Sequence, residues 1–380
     1  MVKKFPIGKP VSGKDLIGRE EEINQIFELL KDGHSVILIA PRRFGKTSII
    51  LEVLRKLQIA NFLVGDIDIF DITSKRELAE KIIETTLNND NLPLTRLFKS
   101  MKENVVKALQ QVEFKSVINE YEFILGFSDK QKTDEELLDD ALNFPQEYAS
   151  KKGKSFIMAF DEFSDLVKLN GETLIKKMRA KFQRQSQITY LFAGSHESVM
   201  TNLFVNKTYA FYRFGRVIYL HGIKEEAFSR YITDNFREDG IELTDGVLDR
   251  ILKITGGHPY YTQLLCHLIY YSLVNKTKKV TLNEVEESYE EALAMEGVYF
   301  DELWSSLMSR KGHTAVLISI ASGENPYETY GLSRQNIHRI VISLTKSGYI
   351  NRKERGNYEV TNPLFKEYIK RRKGYSSRGE

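Results

Sequence analysis

Eight consecutive residues near the start of the chain have the types and spacing of a phosphate-binding loop: Ala40-Pro41-Arg42-Arg43-Phe44-Gly45-Lys46-Thr47. The apolar residues 35–39 before them are typical of a buried strand, and residues 47–57 have the apolar spacing of a helix. In a Gly-x-x-x-x-Gly-Lys-[Ser/Thr] loop between a strand and a helix, backbone N–H groups surround a β-phosphate and the helix contributes the positive end of its dipole. The sequence therefore predicts a nucleotide phosphate site.

The chemistry expected of this loop depends mainly on its last residues. Lys46 would contact the β- and γ-phosphates of ATP, and Thr47 would ligate Mg²⁺. Ala40 stands where the pattern usually has glycine, and we expect alanine to be tolerated there if its φ is negative. The predicted nucleotide-binding residues of the loop are Pro41, Arg42, Arg43, Phe44, Gly45, Lys46, Thr47 and Ser48.

A second motif is an apolar strand, residues 156–160, that ends in Asp161-Glu162. This is the Walker B pattern, in which a buried strand delivers a carboxylate to the edge of the sheet beside the phosphate loop. Asp161 would hold Mg²⁺ through water, opposite Thr47, and Glu162 would orient or deprotonate the attacking water. The alternative is a helix start that is simply rich in acidic residues.

Five motifs occur in a fixed order along the chain: Leu16-Ile17-Gly18-Arg19-Glu20, the phosphate loop, Phe160-Asp161-Glu162-Phe163, Gly194-Ser195, and Thr255-Gly256-Gly257-His258-Pro259. Together they resemble the archaeal ATPase family, a branch of the STAND class within the AAA+ type of P-loop ATPases. The resemblance covers about residues 14–310. It implies an ATP-binding, Mg²⁺-dependent ATPase that works as a conformational switch.

The resemblance also implies an adenine-binding region. Ile17, Gly18 and Arg19 would border the base. His258 and Pro259, in a turn that opens a helix, would face the base or the β-phosphate, although a plain proline helix start explains them as well.

Two more residues are candidates for catalysis beside Lys46 and Glu162. Ser195 follows a predicted strand, residues 190–193, that the resemblance places between the strands of the phosphate loop and of Asp161. It would reach the γ-phosphate or the attacking water, or form only a Gly-Ser turn. Arg216, with Arg213 as the second choice, would reach the γ-phosphate of a neighbouring subunit in an ATP-dependent homo-oligomer. The alternative is a surface arginine or an internal ion pair.

Apolar strands at residues 35–39, 62–67, 156–160, 190–193 and 217–220 alternate with helical segments. This pattern predicts an α/β fold of the P-loop NTPase type, in which a parallel sheet is sandwiched by helices. We divide the chain into a P-loop core (1–220), a helical lid (221–310), a winged-helix domain (311–372) and a flexible basic tail (373–380). Residues 88–150 match no motif and are a candidate site for a protein partner.

The winged-helix prediction comes from a helix, a second helix with Ser333 as N-cap, and a hairpin with its turn at Gly356-Asn357. Residues 333–355 would contact double-stranded DNA, or the domain would pack on the ATPase core as a regulatory element. From residue 312 to the end there are twelve basic and six acidic residues, which suits DNA or a merely solvated surface. The residues predicted to contact phosphates are Arg334, Arg339, Lys346, Arg352, Lys353 and Arg355.

The single cysteine, Cys266, and the lack of an apolar signal sequence or membrane-spanning run predict a cytoplasmic protein without membrane contact. Two functions remain open at this point. One is the ATP-driven switch. The other is a DNA-binding regulator or mobile-element accessory protein in which ATP only gates binding.

Overall fold

The structure is a computed structural model, and it describes residues 4–89, 133–273, 278–354 and 356–376. Its first part alternates helices and strands. In chain order the elements are α1 (Glu20–Lys31), β1 (Val36–Ile39), α2 (Lys46–Ile59), β2 (Leu63–Asp68), α3 (Lys75–Leu87), α4 (Asp134–Lys152), β3 (Phe156–Asp161), α5 (Val167–Phe182), β4 (Ile188–Gly194), α6 (Glu197–Val205) and β5 (Arg216–Tyr219).

The second part is mainly helical. Its elements are α7 (Glu225–Glu238), β6 (Glu242–Leu243), α8 (Val247–Thr255), α9 (Pro259–Ser272), β7 (Lys279–Val280), α10 (Leu282–Met308), α11 (His313–Ala321), α12 (Arg334–Lys346), β8 (Ile350–Glu354), β9 (Asn357–Val360) and α13 (Pro363–Ser376). Some of the helix starts have side-chain caps. Thr281 and Glu284 form a capping box at α10, and the Ser333 side chain accepts from the Asn336 N–H, which confirms the predicted cap of α12.

Strands β1 to β5 form one parallel sheet in the order β2-β3-β4-β1-β5. The fold-class prediction is confirmed, and so is the placement of β4 between β1 and β3. Because all five strands are parallel, their carboxyl ends meet at one edge of the sheet. The phosphate loop after β1, Asp161 at the end of β3 and Ser195 after β4 therefore come together.

Helices cover both faces of this sheet. On one face, alternate side chains of β1 and β3 pack against α1 and α2. On the other face, the intervening side chains pack against α3, α4 and α5. Burial on both faces explains why the three central strands, β1, β3 and β4, are nearly continuous apolar runs in the sequence, whereas the edge strands β2 and β5 are partly exposed. Their ends differ from the predicted ones by at most two residues.

The lid and the C-terminal elements share one hydrophobic core. Buried residues from α7 to α10 form a single cluster with buried residues from α11, α12, β8, β9 and α13. The hairpin of β8 and β9 is antiparallel, as predicted. The predicted domain boundary at 310–311 therefore falls between packed elements that have a common core, and the division into lid and C-terminal domain stays a prediction.

Two differences from the sequence prediction concern the later elements, and the candidate partner region is only partly described. The two-residue strands β6 and β7 pair in parallel and were not predicted, because two residues show no periodicity. Helix α13 runs to Ser376, so the predicted tail begins as helix, and residues 377–380 lie outside the described chain. Of the candidate partner region 88–150, residues 90–132 also lie outside it, and α4 packs against α3.

Among the described helices, none is both long enough and apolar enough to cross a membrane.

Candidate active site

The loop between β1 and α2 contains two residues in the left-handed backbone conformation. Arg43 has φ 66° and Gly45 has φ 86°, and α2 begins directly afterwards. A Cβ on Gly45 would meet no atom within 4 Å, so the glycine serves the backbone conformation and leaves space above the helix N-terminus. Ala40 is buried and does not have a positive φ, so the condition expected for alanine at this position is met.

Lys46 is buried and its side chain folds back across the loop. Its Nζ donates to the carbonyl oxygens of Ala40 (3.2 Å) and Pro41 (3.1 Å) and lies 3.8 Å from Glu162 Oε1. Burial is the main cause that lowers the pKa of Lys46, while the nearby carboxylates of Glu162 and Asp161 act in the opposite direction. The ammonium group is thus held at the edge of the sheet, between the loop and β3.

Thr47 and Asp161 meet directly. The Thr47 hydroxyl donates to Asp161 Oδ2 at 2.5 Å, and Asp161 Oδ1 accepts from the Glu162 N–H at 2.9 Å. Among the described residues there is no cluster of three or more His, Cys, Asp or Glu side chains that could hold a metal ion. A hydroxyl beside one carboxylate suits Mg²⁺, which usually binds one or two carboxylates together with substrate phosphates and water.

Glu162 is held by the predicted catalytic serine. Its Oε2 accepts from the Ser195 hydroxyl at 2.6 Å and from the Ser195 N–H at 3.0 Å. Glu162 also has a left-handed backbone, with φ 48°. Such a conformation is uncommon for a residue with a side chain and is found disproportionately at functional sites. Ser195 thus orients the carboxylate of Glu162 in this structure.

Lys46, Thr47, Asp161 and Glu162 border one end of a cavity of about 550 Å³, whereas Ser195 is not in its wall and contacts Glu162 from outside. The opposite end is mainly apolar, with Ile17, Ile223, Phe228 and Pro259 in its wall. A cavity that is charged at one end and apolar at the other is suited to a nucleotide, with the base in the apolar part. The predicted site residues that line it are Ile17, Arg19, Arg42, Arg43, Phe44, Gly45, Lys46, Thr47, Ser48, Asp161, Glu162 and Pro259.

A segment that the sequence did not indicate closes part of this cavity. Residues 6–11, here called the strap, line it. The Val11 N–H donates to Ser48 Oγ at 3.0 Å, so Ser48 holds the strap. At the other end Phe5 is fully buried in the lid, with its ring 5.1 Å from Phe236. The only signal in the sequence was an apolar Phe-Pro-Ile run in an otherwise polar start of the chain.

Arg19 and Gly18 hold neighbouring segments of the site together. Arg19 is 2% exposed, pairs with Glu22 at 2.9 Å, and donates to the carbonyl oxygens of Phe44 (3.4 Å) and His221 (2.8 Å). It therefore ties the phosphate loop to the segment after β5. Gly18 does not line the cavity. A Cβ on it would lie 2.9 Å from Ile223 Cγ2, so glycine permits close packing against the lid.

His258 requires a correction. It does not line the cavity, and its ring packs against Phe44 (4.7 Å) and Tyr261 (4.5 Å) instead. Burial, with the nearby charge of Arg43, lowers the pKa of His258 to about 3, so the imidazole is neutral at neutral pH. His258 thus supports the phosphate loop from the lid side, while its neighbour Pro259 reaches the cavity. Pro41 likewise contributes its carbonyl oxygen to Lys46 and does not line the cavity.

Arg216 lies away from the other site residues. It is the first residue of β5 and is level with Val36, at the amino edge of the sheet, whereas the phosphate loop follows the carboxyl edge. It cannot contact the site of its own chain. Its predicted action on a neighbouring subunit stays a prediction.

Arg43 connects the phosphate loop to the lid. Its guanidinium pairs with Glu296 of α10 at 2.6 Å and lies over the rings of Tyr260 (4.3 Å) and Tyr299 (5.3 Å). Glu296 is 6% exposed and also accepts from the Tyr260 hydroxyl at 2.9 Å. The sequence did not identify Glu296, because it is one of many acidic residues in α10 and only its burial distinguishes it.

The comparisons with known proteins agree with this geometry. The model of a family described as an ATPase domain predominantly from Archaea matches residues 16–265. The chain belongs to this family of ATPase domains. The match spans the phosphate loop, Asp161 and the first helices of the lid. No curated protein sequence matches the chain.

Solved structures similar to this archaeal-type ATPase share its fold. The Walker-type ATPase PABY2304 of Pyrococcus abyssi has 16% identity and a TM-score of 0.71, covering 96% of this chain and 99% of that one. The ORC2 protein of Aeropyrum pernix, in ADPNP–ADP complexes, has 12% identity and a TM-score of 0.54, covering 94% and 95%. The ORC1 protein of Aeropyrum pernix, in complex with DNA, has 14% identity and a TM-score of 0.50, covering 97% and 95%.

The strap gives a first prediction. Phe5→Ala should release its anchor in the lid and weaken the binding of a fluorescent ADP analogue, measured by titration. Loss of a buried phenylalanine also costs about 3 kcal/mol of stability. Phe300→Ala removes a buried ring from the same core without touching the strap, and serves as the control. Equal ADP affinities in the two variants would contradict a role of the strap in binding.

Proposed function

We propose that the chain hydrolyses ATP to ADP and phosphate with Mg²⁺ and that the nucleotide state controls its conformation. The observation that carries the proposal is the convergence of Lys46, Thr47, Asp161 and Glu162 at one end of the cavity. Within the family of ATPase domains, we assign the chain to the STAND class, with a winged-helix domain after residue 310.

The residues suit the hydrolysis of a phosphoanhydride. Glu162 would take a proton from the attacking water as the water oxygen bonds to the γ-phosphorus. The bond from that phosphorus to the bridging oxygen would break, giving ADP and inorganic phosphate. Lys46 would exchange its loop carbonyls for the β- and γ-phosphates, and Thr47 and Asp161 would hold Mg²⁺, which would neutralise phosphate charge.

Ser195 would set the position of Glu162, the proposed general base. Its two hydrogen bonds to one carboxylate oxygen leave Glu162 Oε1 directed towards Lys46, 3.8 Å away. The γ-phosphate would draw Lys46 away from this carboxylate and leave room for water between them. We therefore assign Ser195 the role of positioning Glu162.

The switch proposal depends on a chain of contacts that leaves the phosphate loop. Arg43 pairs with Glu296, and the Tyr261 hydroxyl lies 3.5 Å from the same carboxylate. Tyr261 in turn accepts from Asn362, just before α13, at 2.5 Å. A change in the loop on phosphate binding would therefore act on the lid and on the C-terminal elements together.

Two substitutions test the enzymatic part. Lys46→Ala should abolish binding of ADP and ATP because the loop loses the ammonium group that would contact the phosphates. Glu162→Gln should keep ATP binding but lower kcat by about 100-fold or more, because a general base is lost. Binding is measured with a fluorescent nucleotide and turnover by phosphate release. Full turnover in Glu162→Gln, or wild-type affinity in Lys46→Ala, would refute the assigned roles.

DNA binding is the second candidate function, and the surface of α12 favours it. Arg334 and Arg339 are exposed on this helix, and Arg352 and Lys353 are exposed on β8. Lys353, however, already pairs with Glu359 at 2.6 Å, and α12 also packs near α6 of the core. Arg355, which was predicted to take part, lies outside the described residues.

The double substitution Arg334→Ala with Arg339→Ala tests this second function. If the helix binds DNA, fluorescence anisotropy should show weaker binding to a duplex. The slope of log affinity against log salt should also fall by about one unit per lost phosphate contact. An unchanged affinity and slope, or no binding by the wild type at low salt, would exclude DNA contact through α12.

A further inference from the structure

Arg42 is the third residue of the phosphate loop, and its side chain is exposed in the cavity. Within the part of the chain that the structure describes, it has no hydrogen bond and no carboxylate within ion-pair distance. The other arginines of the cavity wall are engaged. Arg19 pairs with Glu22 and two carbonyl oxygens, and Arg43 pairs with Glu296. Arg42 is therefore a guanidinium at the site whose donors are available to a ligand.

The backbone places Arg42 at the reacting end of the cavity. The carbonyl oxygen of Pro41, the residue before it, is 3.1 Å from Lys46 Nζ. That ammonium lies 3.8 Å from Glu162. Arg42 thus directly follows a residue whose carbonyl oxygen binds the Lys46 ammonium, and Arg42 and Glu162 line the same cavity. The electrostatics agree with this position. Burial is the main cause that lowers the pKa of Lys46 and of His196, and the positive charge of Arg42 lowers both further.

A further cation at this position would favour the reaction. As the bond to the bridging oxygen breaks, negative charge is spread over the γ-phosphate oxygens and the leaving oxygen. Lys46 supplies one positive charge. A guanidinium offers several donors in a plane and can contact two such oxygens together. An arginine with this function is provided within one chain in some P-loop enzymes and by a second protein in others.

We propose that Arg42 stabilises the transition state of ATP hydrolysis from within the same chain. On this basis hydrolysis needs no arginine from a neighbour, and Arg216 is not required for turnover. The inference rests on the proposed ATPase function. Arg42 and Arg43 then have different roles: Arg42 contacts the reacting phosphate, and Arg43 contacts the lid.

The test compares the full-length variants Arg42→Ala, Arg42→Lys and Arg184→Ala with the wild type. Arg184 is an exposed arginine after α5, at the amino edge of the sheet, and serves as the control. Arg42→Ala should lower kcat by about 100-fold or more while the affinity for ADP stays close to the wild-type value. It should also lose the binding of ADP with aluminium fluoride, which imitates the transferred phosphoryl group. Arg42→Lys should recover part of kcat, and the wild-type rate per molecule should not depend on protein concentration.

Three results would overturn the proposal. In the first, Arg42→Ala turns over like the wild type and the Arg184→Ala control. In the second, the rate per molecule rises with protein concentration and Arg216→Ala abolishes it, which would assign the arginine to a neighbouring subunit. In the third, Arg42→Ala loses ADP and ADP with aluminium fluoride equally, which would assign Arg42 to ground-state binding. A wild type that binds ATP without hydrolysing it would refute the proposed function as well, whereas these three results leave that function intact.

Discussion

The ion pair between Arg43 and Glu296 joins the phosphate loop to the lid. Glu296 is almost fully buried, and a buried carboxylate is stable only when a cation or several donors compensate its charge. The cation comes from the loop, and the further donors, the hydroxyls of Tyr260 and Tyr261, come from the lid itself. The packing around Glu296 therefore depends on the position in which the loop holds Arg43.

The site contains two unusual backbone conformations, and the first of them places Arg43. Arg43 and Glu162 are both left-handed, which costs about 1 kcal/mol or more for each residue with a side chain. The first conformation turns the Arg43 side chain out of the loop towards α10. The second delivers the Glu162 carboxylate to Ser195 instead of continuing the line of β3. Both deviations lie next to the residues that would bind and cleave ATP, where such strain is usually found.

The sequence was sufficient for the parts of the molecule that depend on local patterns. Strands buried on both faces are short apolar runs, and the resemblance to the ATPase family implied the order of β1, β4 and β3 that the sheet has. The loop residues and Asp161-Glu162 were likewise found from their types and spacing. The strap and Glu296 were not, because the burial of Phe5 in the lid and the pairing of Glu296 with Arg43 join segments more than 200 residues apart in the chain. His258 was assigned to the nucleotide for a related reason, since the turn was recognised but the direction of the ring depends on the packing of Phe44.

We propose that nucleotide in the cavity moves the C-terminal elements through Glu296. The direct measurement is a distance between spin labels on cysteines introduced at Ile59 and Tyr330, which are exposed, whereas Cys266 is buried. In the Glu162→Gln background the distance distribution should differ between the ATP-bound and nucleotide-free protein. The difference should disappear in Glu296→Gln and persist in Glu291→Gln, a substitution on the same helix at an exposed position. An identical distribution with and without ATP, or a full change in Glu296→Gln, would contradict the account.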